Sequence, residues 1–276
     1  GTIEQKLSDL YKLAMDSVRR EKDGTAPVMG MLKRMENAKT IQQLFDIQLE
    51  LAQYGGAGFF RAGLGADEKN ATQNILNVNQ GGITLGQKEY YLDNDEATAK
   101  IREAYKQHIV RMFQLFGFSK GTATKKMRNI MKVETALAKV SKSRTELRDP
   151  IANYNKMTLQ EFDGKYPHLQ LEKLMNAMGI ESKYIQEMVV GQPDFMAGAD
   201  IVVAKLIPAT YRDYMEWRQI QGAASYLSEE VAQANFEFFG KVMSGRQENY
   251  PRWKRATNQV EGVMGEALGR ISVKKY

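Results

Sequence analysis

The chain has 276 residues, a formal net charge of +6, 43% hydrophobic and 26% charged residues, and no cysteine. This composition is that of a globular protein with a sizeable core, and it excludes disulfides and thiolate metal sites. No apolar run reaches the ~20 residues that a bilayer-spanning helix needs, so we expect no membrane span in this chain.

Helical periodicity dominates the chain, and the predicted helices follow in chain order. Apolar residues spaced three and four apart, beginning at Ile3, predict an amphipathic first helix. Thr40 with Gln43, and Thr158 with Glu161, form capping-box patterns that predict two further helix starts. Apolar stripes predict other helices within residues 101–116, 127–138, 171–178, 211–217, 231–239 and 256–271.

Strand signals are few. Residues 59–64 and 73–79 flank a turn-rich segment and predict one antiparallel hairpin, and residues 188–190 are a candidate third strand. No alternation of strands and helices and no low-complexity linker occurs. We therefore predict a mainly α fold, a multi-helix lobe with one small antiparallel β-hairpin, as a single domain over residues 1–276.

The densest basic stretch runs over residues 120–148, with nine lysines and arginines against two glutamates. No aromatic residue lies between Ser119 and Arg148. A nucleic-acid surface needs such cations interleaved with aromatic rings. The stretch is therefore typical of a solvated helix face or an interdomain surface, and we expect no nucleic-acid partner.

Catalytic patterns are missing from the sequence. Only two histidines occur, His108 and His168, and there is neither an H-E-x-x-H motif nor a G-x-S-x-G motif. Zinc catalysis needs about three protein ligands on one pre-shaped face. We predict one partly buried and one surface histidine, with no metal ligand and no catalytic residue in this chain.

Two charged clusters are candidate contact sites. One mixes charges before Pro150, and the other surrounds a tryptophan behind Pro251. A structural role is favoured for both, and the alternative is contact with a peptide cavity or a partner domain. The candidate residues are Arg144, Arg148, Asp149, Arg252, Trp253 and Arg255.

Five phrases occur in an order that resembles the neprilysin and endothelin-converting-enzyme family of zinc metallopeptidases. The most specific is Tyr154-Asn155-Lys156-Met157-Thr158-Leu159. This sequence departs from the family at Gly86, where a proline is common, and at Leu171 and Ser272, where aromatic residues are common. The other phrases are Ile3-Glu4-Gln5-Lys6, Asp67-x-Lys69-Asn70 with Gln80-Gly81-Gly82-Ile83 and Tyr90-Tyr91-Leu92, Val190-Gly191-Gln192-Pro193, and Arg252-Trp253-Lys254-Arg255.

The resemblance implies two lobes around a closed cavity. It implies a catalytic lobe with H-E-x-x-H, a third glutamate ligand and zinc-activated water, all C-terminal to the matched segment, and a helical lobe that covers the cavity. We expect this chain to be that helical lobe: part of a zinc metalloendopeptidase, binding no zinc, inactive alone, with the catalytic lobe and peptide substrates as partners.

The absence of cysteine resembles the bacterial branch of the family, and we expect the parent protein to be exported to the bacterial cell envelope or periplasm. An alternative remains open. A stand-alone helical module that binds peptides or proteins without catalysis fits the same residues.

Overall fold

The structure is a computed structural model that describes residues 24–52 and 58–249, together with residues 5, 8, 9, 12 and 254. The predicted first helix falls largely, and the predicted helix at 256–271 falls wholly, outside the described residues. Within the described ranges the fold is mainly α, as predicted, with one small sheet.

The first helices within residues 24–249 are two of equal length, α1 (Ala26–Asn37) and α2 (Ile41–Ala52), and a short α3 (Glu89–Leu92) follows. Two long helices follow, α4 (Glu96–Leu115) and α5 (Lys120–Val140). The remaining helices are α6 (Leu159–Lys165), α7 (Leu171–Ala177), α8 (Pro193–Ala204), α9 (Pro208–Ala223) and α10 (Glu229–Phe236), which continues as a π-helix over Glu237–Met243.

Both predicted capping boxes begin helices. Thr40 Oγ1 accepts from the N–H of Gln43 at 3.1 Å, and Gln43 Oε1 accepts from the N–H of Thr40 at 3.2 Å. Thr158 Oγ1 accepts from the N–H of Glu161 at 3.1 Å. Each bond satisfies a donor that the first helical turn leaves unpaired, which is why these residues set the helix boundaries.

The predicted hairpin is two strands of a four-stranded mixed sheet. Strands β1 (Phe60–Asp67) and β2 (Asn70–Gln80) pair antiparallel, and the predicted third strand is β4 (Met188–Val190), parallel to β2. A strand that was not predicted, β3 (Asn155–Met157), completes the order β1-β2-β4-β3. It is three residues long, too short for an alternating pattern to be recognised.

Two apolar clusters form the core. One gathers residues of the sheet, α2 and the α6–α8 region, and the other lies among α4, α5, α9 and α10. Helices α5 and α9 contribute residues to both clusters and contact each other directly. The described part of the chain is therefore joined through these two helices.

Among the described residues, no helix combines the length and the apolar character that crossing a bilayer requires.

Candidate functional site

The segment between α5 and β3 contains three of the predicted contact residues. Every residue from Arg144 to Ala152 is exposed, and a 3-10 turn spans Glu146–Arg148. The charged cluster before Pro150 therefore lies at the surface, some residues after the end of α5. We call residues 144–152 the exposed loop.

Hydrogen bonds hold the exposed loop in one conformation. Asp149 Oδ1 accepts from the N–H groups of Ile151 and Ala152 at 3.0 and 3.1 Å. Asn153 Nδ2 donates to the carbonyls of Glu146 and Asp149 at 3.0 and 2.6 Å. Asp149 thus stabilises its own turn and does not link the loop to a neighbouring helix.

Two further bonds tie this region to the sheet. Gln192 Nε2 donates to Asn153 Oδ1 at 2.9 Å, just after β4. The hydroxyl of Tyr154 donates to Asp67 Oδ1 at 2.8 Å, at the turn between β1 and β2, and Lys69 Nζ lies 4.4 Å from the Tyr154 ring centre. The hydrogen bond from Tyr154 holds the pKa of Asp67 below its ordinary value.

The exposed loop presents two cations and two apolar side chains. Within the described residues, the guanidinium groups of Arg144 and Arg148 make no hydrogen bond or ion pair. Leu147 is 38% exposed and Ile151 is 85% exposed. Because this loop presents two unpaired cations and two apolar side chains together, it is a candidate contact surface.

The second predicted cluster cannot be placed. Arg252, Trp253 and Arg255 lie outside the described residues.

A buried carboxylate on the helix predicted at 127–138 organises a different region. Glu134 on α5 is fully buried and accepts hydrogen bonds from the hydroxyls of Tyr91 at 2.5 Å and Tyr105 at 3.0 Å. It also accepts from the N–H and the hydroxyl of Thr84, at 2.9 and 3.0 Å. The indole N–H of Trp217 donates to the Tyr105 hydroxyl at 2.9 Å.

The protonation states in this network follow from burial. Removal from water raises the pKa of Glu134 and raises the pKa values of Tyr91 and Tyr105 well above their ordinary values. The tyrosines therefore keep their protons and act as donors to the carboxylate. Because Tyr91 also accepts from the N–H of Leu85 at 3.0 Å, the network fixes the segment between β2 and α3.

A second buried polar cluster joins α5 to α9. Lys126 Nζ lies 2.9 Å from Asp213 Oδ1 and 2.9 Å from Glu216 Oε1, and all three side chains are at most 4% exposed. Arg212 approaches both carboxylates at 3.1 and 3.3 Å. Lys126 belongs to the basic stretch that was predicted to be a solvated helix face. That prediction is wrong for Lys126, because its side chain is buried and paired with two buried carboxylates.

The two histidines have structural surroundings. The ring of His108 stacks on Phe238 at 5.1 Å and meets Phe239 edge-on at 5.3 Å, and burial lowers the pKa of His108 to about 3. His168 is exposed, with Nδ1 3.2 Å from Asp200 Oδ2. The prediction of one buried and one surface histidine is confirmed, and His108 is buried further than predicted.

These residues do not fit a zinc centre. Among the described residues, no group of three or more histidine, cysteine, aspartate or glutamate side chains could hold a metal ion. The ring atoms of His108 are enclosed by Phe238, Phe239 and Trp217, which offer no metal ligand.

Relatives of known sequence match the chain from end to end. Bovine endothelin-converting enzyme 1 is 24% identical over 281 residues, which cover 98% of this chain and 37% of the relative. Human endothelin-converting enzyme 1 is 26% identical, covering 98% of this chain and 36% of the relative. The chain therefore spans little more than a third of the length of these curated relatives.

Solved structures show the same fold. The zinc metalloprotease Zmp1 of Mycobacterium tuberculosis in its open state superposes with a TM-score of 0.91 at 29% identity, covering 99% of this chain and 42% of Zmp1. PepO of Lactobacillus rhamnosis superposes with a TM-score of 0.77 at 19% identity, covering 95% of this chain and 41% of PepO, which supports the fold alone.

The sequence model for the N-terminal part of peptidase family M13 matches residues 1–276 of this chain. This match covers the whole chain, and it agrees with the order of the phrases and with the superposition on Zmp1. The chain therefore belongs to peptidase family M13, the neprilysin and endothelin-converting-enzyme family of zinc metallopeptidases, as its N-terminal helical portion.

Proposed function

We propose that this chain is the helical lobe that covers the substrate cavity of a zinc metalloendopeptidase, and that the lobe alone binds no zinc and cleaves no peptide. Two facts carry the proposal. The chain matches its relatives along nearly its whole length but covers only 36–42% of their length, and its sequence contains no H-E-x-x-H. In this proposal the remaining portion supplies the metal and the reacting groups, and this lobe supplies shape and charge.

Two features support one cohesive lobe over residues 1–276. Helices α5 and α9 contribute to both core clusters, and the Lys126 cluster joins them by buried ion pairs. The residues just after the exposed loop are tied to the sheet region by the hydrogen bonds of Tyr154 with Asp67 and of Asn153 with Gln192. A lobe held together in this way can move as a body and exclude water from a closed cavity.

The exposed loop is the proposed contact with the catalytic lobe or with peptide in the cavity. Its fixed backbone, the unpaired cations Arg144 and Arg148, and the exposed Ile151 suit a surface that is covered in the complete protein. Asp149 serves as the residue that shapes the loop. Arg252, Trp253 and Arg255 are kept as candidates for the same interface on sequence grounds.

Labelling of a single cysteine tests this interface. The chain has no cysteine, so Ile151→Cys introduces a unique thiol at a position that is 85% exposed. In the isolated chain, maleimide should label it rapidly. In the protein expressed from the complete gene, labelling of the peptide that carries residue 151 should slow about tenfold or more if the loop is covered.

Ile207→Cys is the matched control, because Ile207 is 62% exposed and lies at the start of α9, distant in sequence from the loop. Its labelling should be the same in both proteins. Equal rapid labelling of residue 151 in both proteins would contradict the interface. It would then favour the alternative that the chain acts as a helical binding module on its own.

We also propose that the parent protein is exported to the bacterial cell envelope or periplasm. The cysteine-free composition and the bacterial source of the superposed Zmp1 structure support this location. Fractionation of cells that carry the complete gene tests it: the protein should separate with the envelope or periplasmic fraction, and recovery with the cytoplasm would contradict it.

A further inference from the structure

Helix α5 carries a row of exposed cations along one face. Lys125, Arg128, Lys132 and Lys139 are all exposed, whereas Lys126 of the same helix is buried. At 3.6 residues per turn, the four exposed residues lie within about 60° of the helix circumference. At 1.5 Å per residue, the row from Lys125 to Lys139 is about 21 Å long. We call these four residues the basic row.

The basic row has no acidic partner to neutralise it. The one acidic residue of α5 is Glu134, which is buried among tyrosines. Among the described residues, no side chain of the row makes an ion pair. Helices α4, α8 and α9 pack on α5. Their acidic residues each lie within 4.0 Å of a cation or histidine outside the row: Glu96, Glu103, Asp194, Asp200, Asp213 and Glu216.

The composition of the basic row differs from that of a protein–protein contact. All its members but Arg128 are lysines, and lysine is depleted in such interfaces. Aromatic residues and arginines buried in pockets carry most of the binding energy between proteins. Residues 120–147 contain no aromatic residue at all. The row therefore offers charge without the anchors that a protein partner needs.

A nucleic acid also fits the basic row poorly. Single strands are held by aromatic rings on which their bases stack, and the row has none. The major groove of a duplex, about 12 Å wide, admits a helix that projects from its protein. Helix α5 does not project, because it packs against α4, α8 and α9 and contributes residues to both core clusters. It cannot enter a groove without its neighbours.

A flat anionic surface matches the basic row in shape and in charge. A straight row on one face of a helix contacts a plane along its whole length. Basic residues near an anionic bilayer each strengthen binding about fivefold, because the lipid phosphates attract them within a Debye length of about 10 Å. The net charge of +6 has the same sign and adds to this attraction.

We propose that the basic row of α5 is an electrostatic docking site for the phosphate headgroups of an anionic membrane surface. In this arrangement the lobe rests on the bilayer along α5. It does not insert, because the row has no apolar side chain to bury among the lipid chains. The docking requires neither zinc nor catalysis, so it does not rest on the proposed peptidase function.

Co-sedimentation with lipid vesicles tests the docking site. The probes are vesicles of phosphatidylglycerol mixed with phosphatidylcholine, and vesicles of phosphatidylcholine alone. The 276-residue chain and the protein expressed from the complete gene should both bind the anionic vesicles at about 0.1 M salt, and neither should bind the neutral vesicles. Binding should be lost near 1 M salt, where the Debye length falls to about 3 Å.

Two variants of equal net charge separate the basic row from overall charge. Each replaces four exposed cations by glutamine, and circular dichroism checks that each is folded. The row variant should bind anionic vesicles on the order of several hundredfold more weakly, about fivefold for each cation. The control variant should stay within about threefold of the parent, because its cations lie on elements other than α5 and the helices that pack on it. Its substitutions are Lys33→Gln, Lys39→Gln, Lys165→Gln and Lys173→Gln.

Equal weakening in the two variants would overturn the proposal, because net charge and no particular face would then cause the binding. Comparable binding to neutral vesicles would overturn it in favour of apolar adsorption. Duplex DNA that binds more tightly than the vesicles and depends on the same row would overturn it in favour of a nucleic acid. Vesicle binding by the 276-residue chain alone would also overturn it, because the rest of the complete protein would then cover the row, and it would leave the proposed function standing.

Discussion

The carboxylate of Glu134 on α5 accepts a 2.9 Å hydrogen bond from the backbone N–H of Thr84, fifty residues earlier in the chain. The hydroxyl of Tyr91 donates to the same oxygen. These contacts explain why the phrases around Gly81-Gly82 and Tyr90-Tyr91 occur together in one sequence. Both phrases belong to a segment that is fixed on one buried carboxylate.

Replacing Glu134 should be costly. In Glu134→Ala, the N–H of Thr84 and the hydroxyls of Tyr91 and Tyr105 lose their shared acceptor, so we expect a loss of about 3 kcal/mol in the free energy of unfolding. Glu134→Gln keeps an acceptor oxygen and should lose about 1 kcal/mol. Urea unfolding followed by circular dichroism measures both, and equal stabilities for the two variants would refute the role of the carboxylate oxygens.

Two glycines with the same backbone angle form a matched pair. Gly82 has φ +80° and Gly86 has φ +81°. A Cβ on Gly82 would lie 2.8 Å from the carbonyl oxygen of Phe59 and 2.9 Å from Leu137 Cδ1, whereas no atom lies within 4 Å of a Cβ on Gly86. Gly86→Ala should therefore cost only the conformational penalty, about 1 kcal/mol.

Gly82→Ala should add a steric cost to the same penalty, for a total of about 3 kcal/mol or failure to fold. Thermal unfolding of the two variants side by side gives the comparison. If Gly86→Ala were the less stable variant, the close packing of Gly82 against Phe59 and Leu137 would be contradicted.

The buried ion cluster predicts a contrast between two lysines. Among the described residues, Lys126→Ala leaves the buried carboxylates of Asp213 and Glu216 with Arg212 as their one cationic partner, beside the amide of Asn129, and it should cost about 3–5 kcal/mol. Lys100→Ala, which removes an exposed pair with Glu96, should leave the unfolding midpoint close to that of the parent. Denaturant unfolding distinguishes these outcomes, and similar midpoints for both variants would argue against a buried cluster.

Glu216 should make stability depend on pH. Burial raises the pKa of Glu216 from 4.5 to about 7. Because the folded state binds this proton more tightly than the unfolded state, the contribution to stability is present in full below pH 4.5 and is lost as pH rises through about 7.

The free energy of unfolding should therefore fall with rising pH in that window, by on the order of 2 kcal/mol, relative to Glu216→Gln, which does not titrate. Urea titrations of both proteins at four pH values check the difference. A constant difference across the window would show that Glu216 is already ionised in the folded protein at acidic pH.

Much of the fold follows from local patterns in the sequence. The capping boxes at Thr40 and Thr158 and the hairpin were predicted because each depends on residues that are close in the chain. Strand β3 was not predicted, because three residues carry no period. The sheet order could not be predicted either, because β2 and β4 pair residues that lie 112 positions apart in the chain. The nearby hydrogen bond from the N–H of Gln80 to Gln192 Oε1 spans the same separation.

The site was predictable only in part. The exposed loop was singled out as a candidate contact site from the charges around Pro150, and its residues lie at the surface. The polar clusters were missed because a helical stripe cannot reveal that Glu134 and Lys126 meet partners from distant segments. The one available signal was a carboxylate at a core position, Glu134, between Ile130 and Leu137, which requires buried donors elsewhere in the chain.

The central claim is that this chain is a folded lobe of a peptidase and provides neither the metal nor the reaction. The most direct test is to purify the 276-residue chain, dialyse it against zinc and measure bound metal and cleavage of a fluorogenic peptide. We predict a cooperatively unfolding protein with no stoichiometric zinc and no cleavage, whereas the protein from the complete gene binds zinc and cleaves the peptide. One tightly bound zinc ion per isolated chain, with cleavage that a chelator abolishes, would contradict the account.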